Sequence, residues 1–269
     1  MRVRRLLPTW LVACCVAAGL VAPALAQAQG GQAAASVAAP AARAWPGEGR
    51  IVYRVLHGRN GVQLGEARHH WSHDGARYRM ETVVETTGVA AMLYSFHYTQ
   101  RSEGRVLARG LQPERFTVER VGRTPELAEF DWRAQRVDIH RKGRLRSAEL
   151  RPGDQDVLSL WHQIGVAGGG PQARELTVVS GKVAAPSALE VVGRETLRLP
   201  LGALDTVRLK ARAKDGSLML DIWLAEKQHL LPVRVVMTDD KGEVLDQQAQ
   251  TIELGAPGGA GRTPAKRTE

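Results

Sequence analysis

The chain has 269 residues, 43% hydrophobic and 24% charged, with a formal charge of +9 at pH 7. Both cysteines, Cys14 and Cys15, lie near the start, which excludes disulfides, thiolate nucleophiles and Cys-ligated metal centres from the rest of the chain. Aromatics make up only 5% and Asn60 is the only asparagine, so the basic excess reads as compositional bias and solubility rather than a base-stacking or nucleic-acid surface.

Residues 1–26 read as a secretory signal peptide. Arg2, Arg4 and Arg5 form a charged start, an apolar run covers 11–25, and Ala24-Leu25-Ala26 supplies a small-x-small cleavage site. The run is short of the ~20 residues of a membrane span. Leu11-Val12-Ala13-Cys14 also resembles a lipoprotein box, which makes lipid anchoring at Cys14 the alternative. A periplasmic protein with no transmembrane span in its mature chain is the expectation. Residues 27–46 are Ala, Gln, Gly and Pro with almost no large apolar residue, as in a disordered leader, and 256–269 read as a disordered tail. One β-rich domain fits between them, over 47–255. It is long enough to bury roughly 70% of its unfolded surface.

From residue 50 the apolar period is two. Ile51, Tyr53 and Val55 alternate with outward positions, Arg59-Asn60-Gly61 turns, and 62–73 returns as a strand. Asp74-Gly75 turns again into 76–87, with Tyr78, Met80, Thr82 and Val84 on one face. Residues 89–94 suggest one helical turn. Further strands are expected at 96–101, 106–109, 116–121, 127–132, 137–140 and 145–150, with breaks at Glu103-Gly104 and Leu111-Gln112-Pro113 and a turn at Arg141-Lys142-Gly143.

The exception is 154–166. Pro152-Gly153-Asp154 supplies a stop and an N-cap, and Val157, Leu158, Leu160, Trp161 and Ile164 fall on one helical stripe. A helix of ~13 residues is marginal alone, so its stripe must lie on a sheet. Strands at 175–179, 189–201 and 204–214 follow. The last stretch is a meander through Ile222-Trp223-Leu224-Ala225, the return Leu231-Pro232-Val233 and a final strand after Asp240-Lys241-Gly242. A mainly β fold follows: a strongly curved antiparallel sheet of about a dozen strands, a half-barrel or incomplete barrel with one amphipathic helix against it.

Candidate chemistry is sparse. In His69-His70-Trp71-Ser72-His73-Asp74, His69 and His73 share one strand face but stand about 13 Å apart, too far to clasp one ion unaided. A solvated strand end is the plain reading. Asp154 and Asp156 are a possible carboxylate pair, which helix capping also explains. Ser159 and His162 could meet on the helix, yet no Gly-x-Ser-x-Gly elbow surrounds any serine. Ser180-Gly181-Lys182 is not a phosphate loop, and Gly168-Gly169-Gly170 is not a dinucleotide fingerprint. No metal, cofactor or enzymatic activity is expected. An enzyme would need His69, His70, Asp156 and His162 to converge. The seven basic residues between 133 and 151 suit the wet face of a hairpin, with a phosphate or lipid-headgroup patch as the sharper alternative.

The signal peptide followed by Tyr53-Arg54-Val55, Gly65, Gly88-Val89, Ser102-x-Gly104, Gly110-Leu111-x-Pro113-x-Arg115-Phe116 and Asp156-Val157-Leu158-Ser159-Leu160 resembles the exported bacterial family called domain of unknown function 3108. Gly193-x-Glu195-x-Leu197-x-x-Pro200-x-Gly202, Ile222-Trp223-Leu224-Ala225 and Leu231-Pro232-Val233-Arg234 extend the resemblance over nearly all of 50–254. The family brings no catalytic residues with it. Its fold looks similar to the half-barrel of the periplasmic lipoprotein carriers (LolA/LolB-like), a fold-level analogy. That resemblance implies a carrier-like module for an apolar ligand, a lipidated chain or an envelope component. Val157, Leu160, Trp161 and Ile164 on the helix, with Leu220, Ile222 and Leu224 on the wall, would then line the concave face. Glu195, Asp156 and His162 are the candidate polar site. The alternative is a structural or assembly protein of the envelope working through its surface, and a monomer is expected in either case. Trp223, on the face opposite Leu220, Ile222 and Leu224, is the position whose covering the fold must explain.

Overall fold

The computed structural model describes residues 45–58, 61–93, 96–167, 174–239 and 241–255. The proposed signal peptide, residues 27–44 of the proposed leader and the proposed tail lie outside the described residues. Trp45 and Pro46, placed in the leader on composition, are held by the domain instead: Trp45 is buried and the Pro46 carbonyl accepts a hydrogen bond from Trp71 Nε1 at 2.9 Å.

The chain begins with β1 (Glu48–His57), β2 (Val62–His73) and β3 (Arg77–Thr86), whose buried residues recur at every second position as the alternation requires. A short helix α1 (Gly88–Leu93) leads to β4 (His97–Leu107), β5 (Gly110–Arg120), β6 (Glu126–Asp131), β7 (Arg136–Arg141) and β8 (Arg144–Glu149). A two-residue strand β9 (Gln155–Asp156), the helix α2 (Leu160–Ala167) and β10 (Arg174–Val179) form a small βαβ unit. The long pair β11 (Ala184–Leu199) and β12 (Gly202–Ala213) follows, then β13 (Leu218–Ala225), β14 (Leu231–Asp239) and β15 (Val244–Leu254).

These fifteen strands make one unclosed sheet in the order β8-β7-β6-β5-β4-β3-β2-β1-β15-β14-β13-β12-β11-β10-β9. Consecutive strands pair antiparallel from β1 to β8 and from β10 to β15, β1 pairs antiparallel with β15, and β9 lies parallel to β10 with Asp156 opposite Val179, which leaves β8 and β9 as the two edges. Parallel pairing needs a crossover, and α2 supplies it. A sheet this wide must roll. Here the β9 edge tucks inward, where both β9 and α2 contact β5 while α2 also contacts β14.

Bulges re-aim the strands as the sheet curves. The expected break at Glu103-Gly104 is one of them: β4 runs on continuously, with its register to β5 shifting there. The Leu111-Gln112-Pro113 break likewise falls inside β5, with Pro113 at the bulge opposite Gly104. A proline fits there because a bulge interrupts the ladder bonds a proline cannot donate. Gly104 is dictated by crowding, since a Cβ would overlap the Gln112 carbonyl oxygen. At Gly65, beside the β1–β2 bulge, one would overlap the Glu85 carbonyl. Pro232 sits at the β13–β14 bulge, and its carbonyl accepts from the buried Tyr53 hydroxyl at 2.7 Å.

The largest departure from expectation concerns α2. It spans 160–167 rather than 154–166, because Gln155 and Asp156 are taken into the sheet as β9. Asp154 is not its cap: its carboxylate accepts from the amides of Arg151 at 2.8 Å and Thr177 at 2.6 Å, holding β10 to the preceding turn. Nor is the helix an amphipathic cover with one wet face. Every residue from Leu160 to Gly165 is buried. The helix fills the roll.

Candidate functional site

The concave face carries two polar networks that α2 joins to the wall. The first grows from β2. Inward alternation places His69 and Trp71 on the buried face and leaves His70 outside, 3.3 Å from Glu48. His69 Nε2 lies 2.8 Å from His162 Nε2 on α2, and His69 Nδ1 lies 2.8 Å from Thr82 Oγ1 on β3. Trp45 Nε1 lies 3.0 Å from His162 Nδ1. An indole N–H can only donate, so His162 Nδ1 must accept. His162 then carries its proton on Nε2 and donates to His69, which donates through Nδ1 to Thr82. Every ring nitrogen is used, and both rings are held neutral. Burial, with His70 nearby, pushes the His69 pKa down to about 3, and burial beside His69 pushes His162 well below the ordinary histidine value. The rings are enclosed by aromatics: Trp71 lies 5.0 Å from His162, Trp161 lies 5.4 Å from His69, and Trp45 stacks on His73 at 4.4 Å.

The second network centres on Asp156, which is 0% exposed. Its Oδ1 accepts from the amides of Leu158 and Ser159, each at 2.8 Å, and so caps the turn that leads into α2. Its Oδ2 accepts from Ser102 Oγ at 2.6 Å. Ser102 has spent its one proton there, so the Tyr78 hydroxyl, 3.0 Å away, donates to Ser102. Burial raises the Asp156 pKa to about 6, against the opposing pull of Ser102 and the two amides. Burial, with the Asp156 charge nearby, holds the Tyr78 phenol well above its ordinary value. Ser159 Oγ is committed to the Asp156 backbone at 3.1 and 3.2 Å, so it forms no dyad with His162.

A third contact fixes the far side of α2. Gln163 Oε1 accepts from the Leu111 amide at 2.6 Å and its Nε2 donates to the Arg109 carbonyl at 3.2 Å, serving the start of β5 as a neighbouring strand would. Gly110 takes φ 117° there, and a Cβ would collide with the Gln163 amide. Only glycine serves both needs.

The sequence-derived residues therefore divide. His69 and His162 meet, and the solvated-strand-end reading fails at His69, which is 0% exposed. His70 lies on the other face, and Asp156 belongs to the separate Ser102–Tyr78 network. Val157, Leu160, Trp161, Ile164, Leu220, Ile222 and Leu224 all join one core cluster. Trp45, Thr82, Tyr78, Ser102 and Gln163 were not singled out as polar partners. The inward parity of Tyr78 and Thr82 was visible, but their partners Ser102 and His69 sit on the adjoining strands, where register rather than parity decides who meets. Among the described residues, no group of three or more His, Cys, Asp or Glu side chains is placed to hold a metal ion.

Glu195 belongs to neither network. It lies on the convex face and accepts from Trp223 Nε1 at 2.7 Å. Trp223 is sandwiched between the guanidinium groups of Arg208 and Arg234, 4.8 and 4.7 Å from its ring centre, which are anchored in turn by Asp221 and Asp246. This cation–π sandwich explains how an outward tryptophan is only 5% exposed.

No curated protein matches the chain. Among solved structures, a beta-barrel-like protein of domain of unknown function DUF1849 from Brucella abortus is similar, with a TM-score of 0.50 and 11% identity over 79% of this chain and all of that one. The likeness supports the barrel-like fold alone. The family model described as "Protein of unknown function (DUF3108)" matches residues 50–248. With most of the rolled sheet inside that match, the chain belongs to the DUF3108 family.

Proposed function

We propose that the protein is an exported, non-catalytic module of the cell envelope that works through the outside of its rolled sheet, by contact with a protein partner. The filled concave face carries this reading. The side chains a carrier would turn toward its cargo, from Val157 to Leu224, are each at most 5% exposed. An internal ligand would have to expel α2, and with it the Asp156 cap, the histidine pair and the Gln163 bonds. The buried His, Asp and Ser groups spend their hydrogen bonds on other protein groups, which supports a structural rather than a catalytic use. The signal-like residues 1–26 support export, and no helix among the described residues is long and apolar enough to cross a membrane.

The outer surface offers a place for a partner. β10 covers β11 only as far as Leu189, so among the described residues the rest of β11 pairs with β12 alone. Residues 190–196 are exposed on both faces. The charges of Arg194, Glu195 and Arg198 and the bulge at Val191/Gly193 guard this edge against self-association, while an open edge can accept one strand from a specific partner. A photo-crosslinking residue at Val192 or Arg198 in the full chain, expressed in cells, is expected to trap one dominant protein, whereas the same residue at the distant, exposed Arg79 traps none. Equal trapping from all three positions, or an apolar molecule retained in the native mass of the purified protein, would overturn the reading.

A further inference from the structure

We propose that a basic cleft at the seam of the rolled sheet binds a phosphate monoester. The cleft has a volume of about 380 Å³ and is lined by Ile139, Arg141, Lys142, Arg144, Arg146 and Lys182. That is within the size range of small-ligand pockets, roughly 300–1,000 Å³. The lining brings five cations and no carboxylate.

Two separate elements build it. The β7–β8 hairpin turns through Lys142 and Gly143, with φ 51° and 70°, which is the two-residue turn that suits a twisted hairpin. Across it Arg141 stands opposite Arg144 and Ile139 opposite Arg146. Like charges directly opposite on one face repel and weaken a hairpin; Glu126 meets the Arg141 charge, while Arg144 opposite it has no counter-ion among the described residues. The turn at 180–183 brings Lys182 from the other end of the sheet. Ser180 Oγ accepts from the Lys182 and Val183 amides, each at 3.2 Å, and Gly181 approaches Glu126 and Val118 so closely that a Cβ would not fit. Lys182 is therefore positioned on a tight backbone. The nearby Glu126 offsets only part of this charge, because it is shared between Arg141 at 2.9 Å and Arg120, outside the cleft, at 3.3 Å. Among the described residues, Lys142, Arg144, Arg146 and Lys182 form no ion pair.

The chemistry selects the ligand class. Several cations around a small volume favour a multiply charged anion, and a phosphate monoester carries close to two negative charges near neutral pH with three strong acceptor oxygens. Guanidinium forks match those oxygens in pairs. A carboxylate would leave most of the charge unmet. The cleft has no aromatic ring on which a nucleobase could stack. The same headgroup chemistry occurs on soluble phosphorylated metabolites and on monoester phospholipids. The proposal is independent of the protein partner proposed above.

The test uses the mature chain with glycerol 3-phosphate, assayed by titration calorimetry, and with vesicles containing phosphatidic acid, assayed by sedimentation. Vesicles of equal surface charge made with phosphatidylglycerol serve as the diester control. Binding of glycerol 3-phosphate assigns a soluble source, and binding confined to phosphatidic acid vesicles assigns a lipid source; either supports the cleft. The Arg144→Gln/Arg146→Gln pair and, separately, Lys182→Gln are expected to weaken binding about tenfold or more, the scale of one lost charge-assisted bond, with unchanged thermal melting. Arg123→Gln/Arg133→Gln, outside the cleft, is expected to leave binding intact. No binding of either probe, equal binding of the diester vesicles, or equal weakening by the variants outside the cleft would overturn the proposal.

Discussion

Replacing Asp156 by alanine is expected to lower the unfolding free energy by about 3–5 kcal/mol, the low end of what three buried donors left unpaired cost together. Three donors lose their acceptor at once: the amides of Leu158 and Ser159 and the Ser102 hydroxyl. Each buried donor left unpaired costs roughly 1–3 kcal/mol, and the lost N-cap is included in the first two. Part of the loss is offset, because Ser102 can turn its proton toward Tyr78 and a desolvated carboxylate is gone. Asp156→Asn is expected to cost less than Asp156→Ala, since its remaining carbonyl oxygen can still cap both amides. Urea unfolding followed by tryptophan fluorescence measures both variants. A cost below about 1 kcal/mol for alanine would mean that the cap does not hold α2 in the roll.

The second large effect is a loss of stability on mild acidification. For His69 and His162 the folded pKa lies below the unfolded value near 6.5, so their contribution is complete above pH 6.5 and is lost as pH falls toward the folded pKa, about 3 for His69. Asp156 acts the other way. Its folded pKa of about 6 exceeds 3.8, so its contribution is complete below pH 3.8 and is lost as pH rises toward 6. Between pH 4 and 6 two histidines oppose one carboxyl, leaving one unmatched proton that binds preferentially to the unfolded chain. Stability should therefore rise with pH across this window by roughly 1 kcal/mol per unit. The geometry gives the same sign, because a proton added to His69 Nε2 would face the His162 N–H, and one added to His162 Nδ1 would face the Trp45 N–H. His162→Gln keeps one donor and one acceptor but removes a titrating ring, so its slope between pH 4 and 6 should be close to flat. Unfolding free energies at several pH values check both; a steep slope retained in the glutamine variant would move the effect to other groups.

The strands were legible because their physics is local. Ile51, Tyr53 and Val55, or Tyr78, Met80, Thr82 and Val84, declare an inward face by period alone, and Asp74-Gly75 and Lys142-Gly143 declare their turns. α2 was misjudged because Pro152-Gly153-Asp154 has the chemistry of a helix start, whereas a two-residue strand such as β9 has no period to detect. Its stripe of Leu160, Trp161 and Ile164 was visible, but the burial of the opposite side depends on partners that sequence order hides. His162 and Gln163 look like a wet face until Trp45, His69, Leu111 and the Arg109 carbonyl are found waiting for them. The His69–His162 contact spans 93 positions, and only the rolling of the sheet creates it. The basic hairpin was legible as a charge run, yet Lys182 reaches it only across the seam. Trp223 drew attention as an outward tryptophan; its cover comes from Arg208 and Arg234 on the two adjoining strands, where register rather than composition decides.

The helix α2 is a permanent filling of the roll and not a removable lid over a chamber. Amide hydrogen exchange of residues 160–167, followed by mass spectrometry on the mature protein, tests it most directly. These amides are expected to exchange as slowly as those at the centre of β1 and β2, opening only with global unfolding. Exchange of the α2 amides on the timescale of exposed loops, while β1 and β2 stay protected, would contradict it.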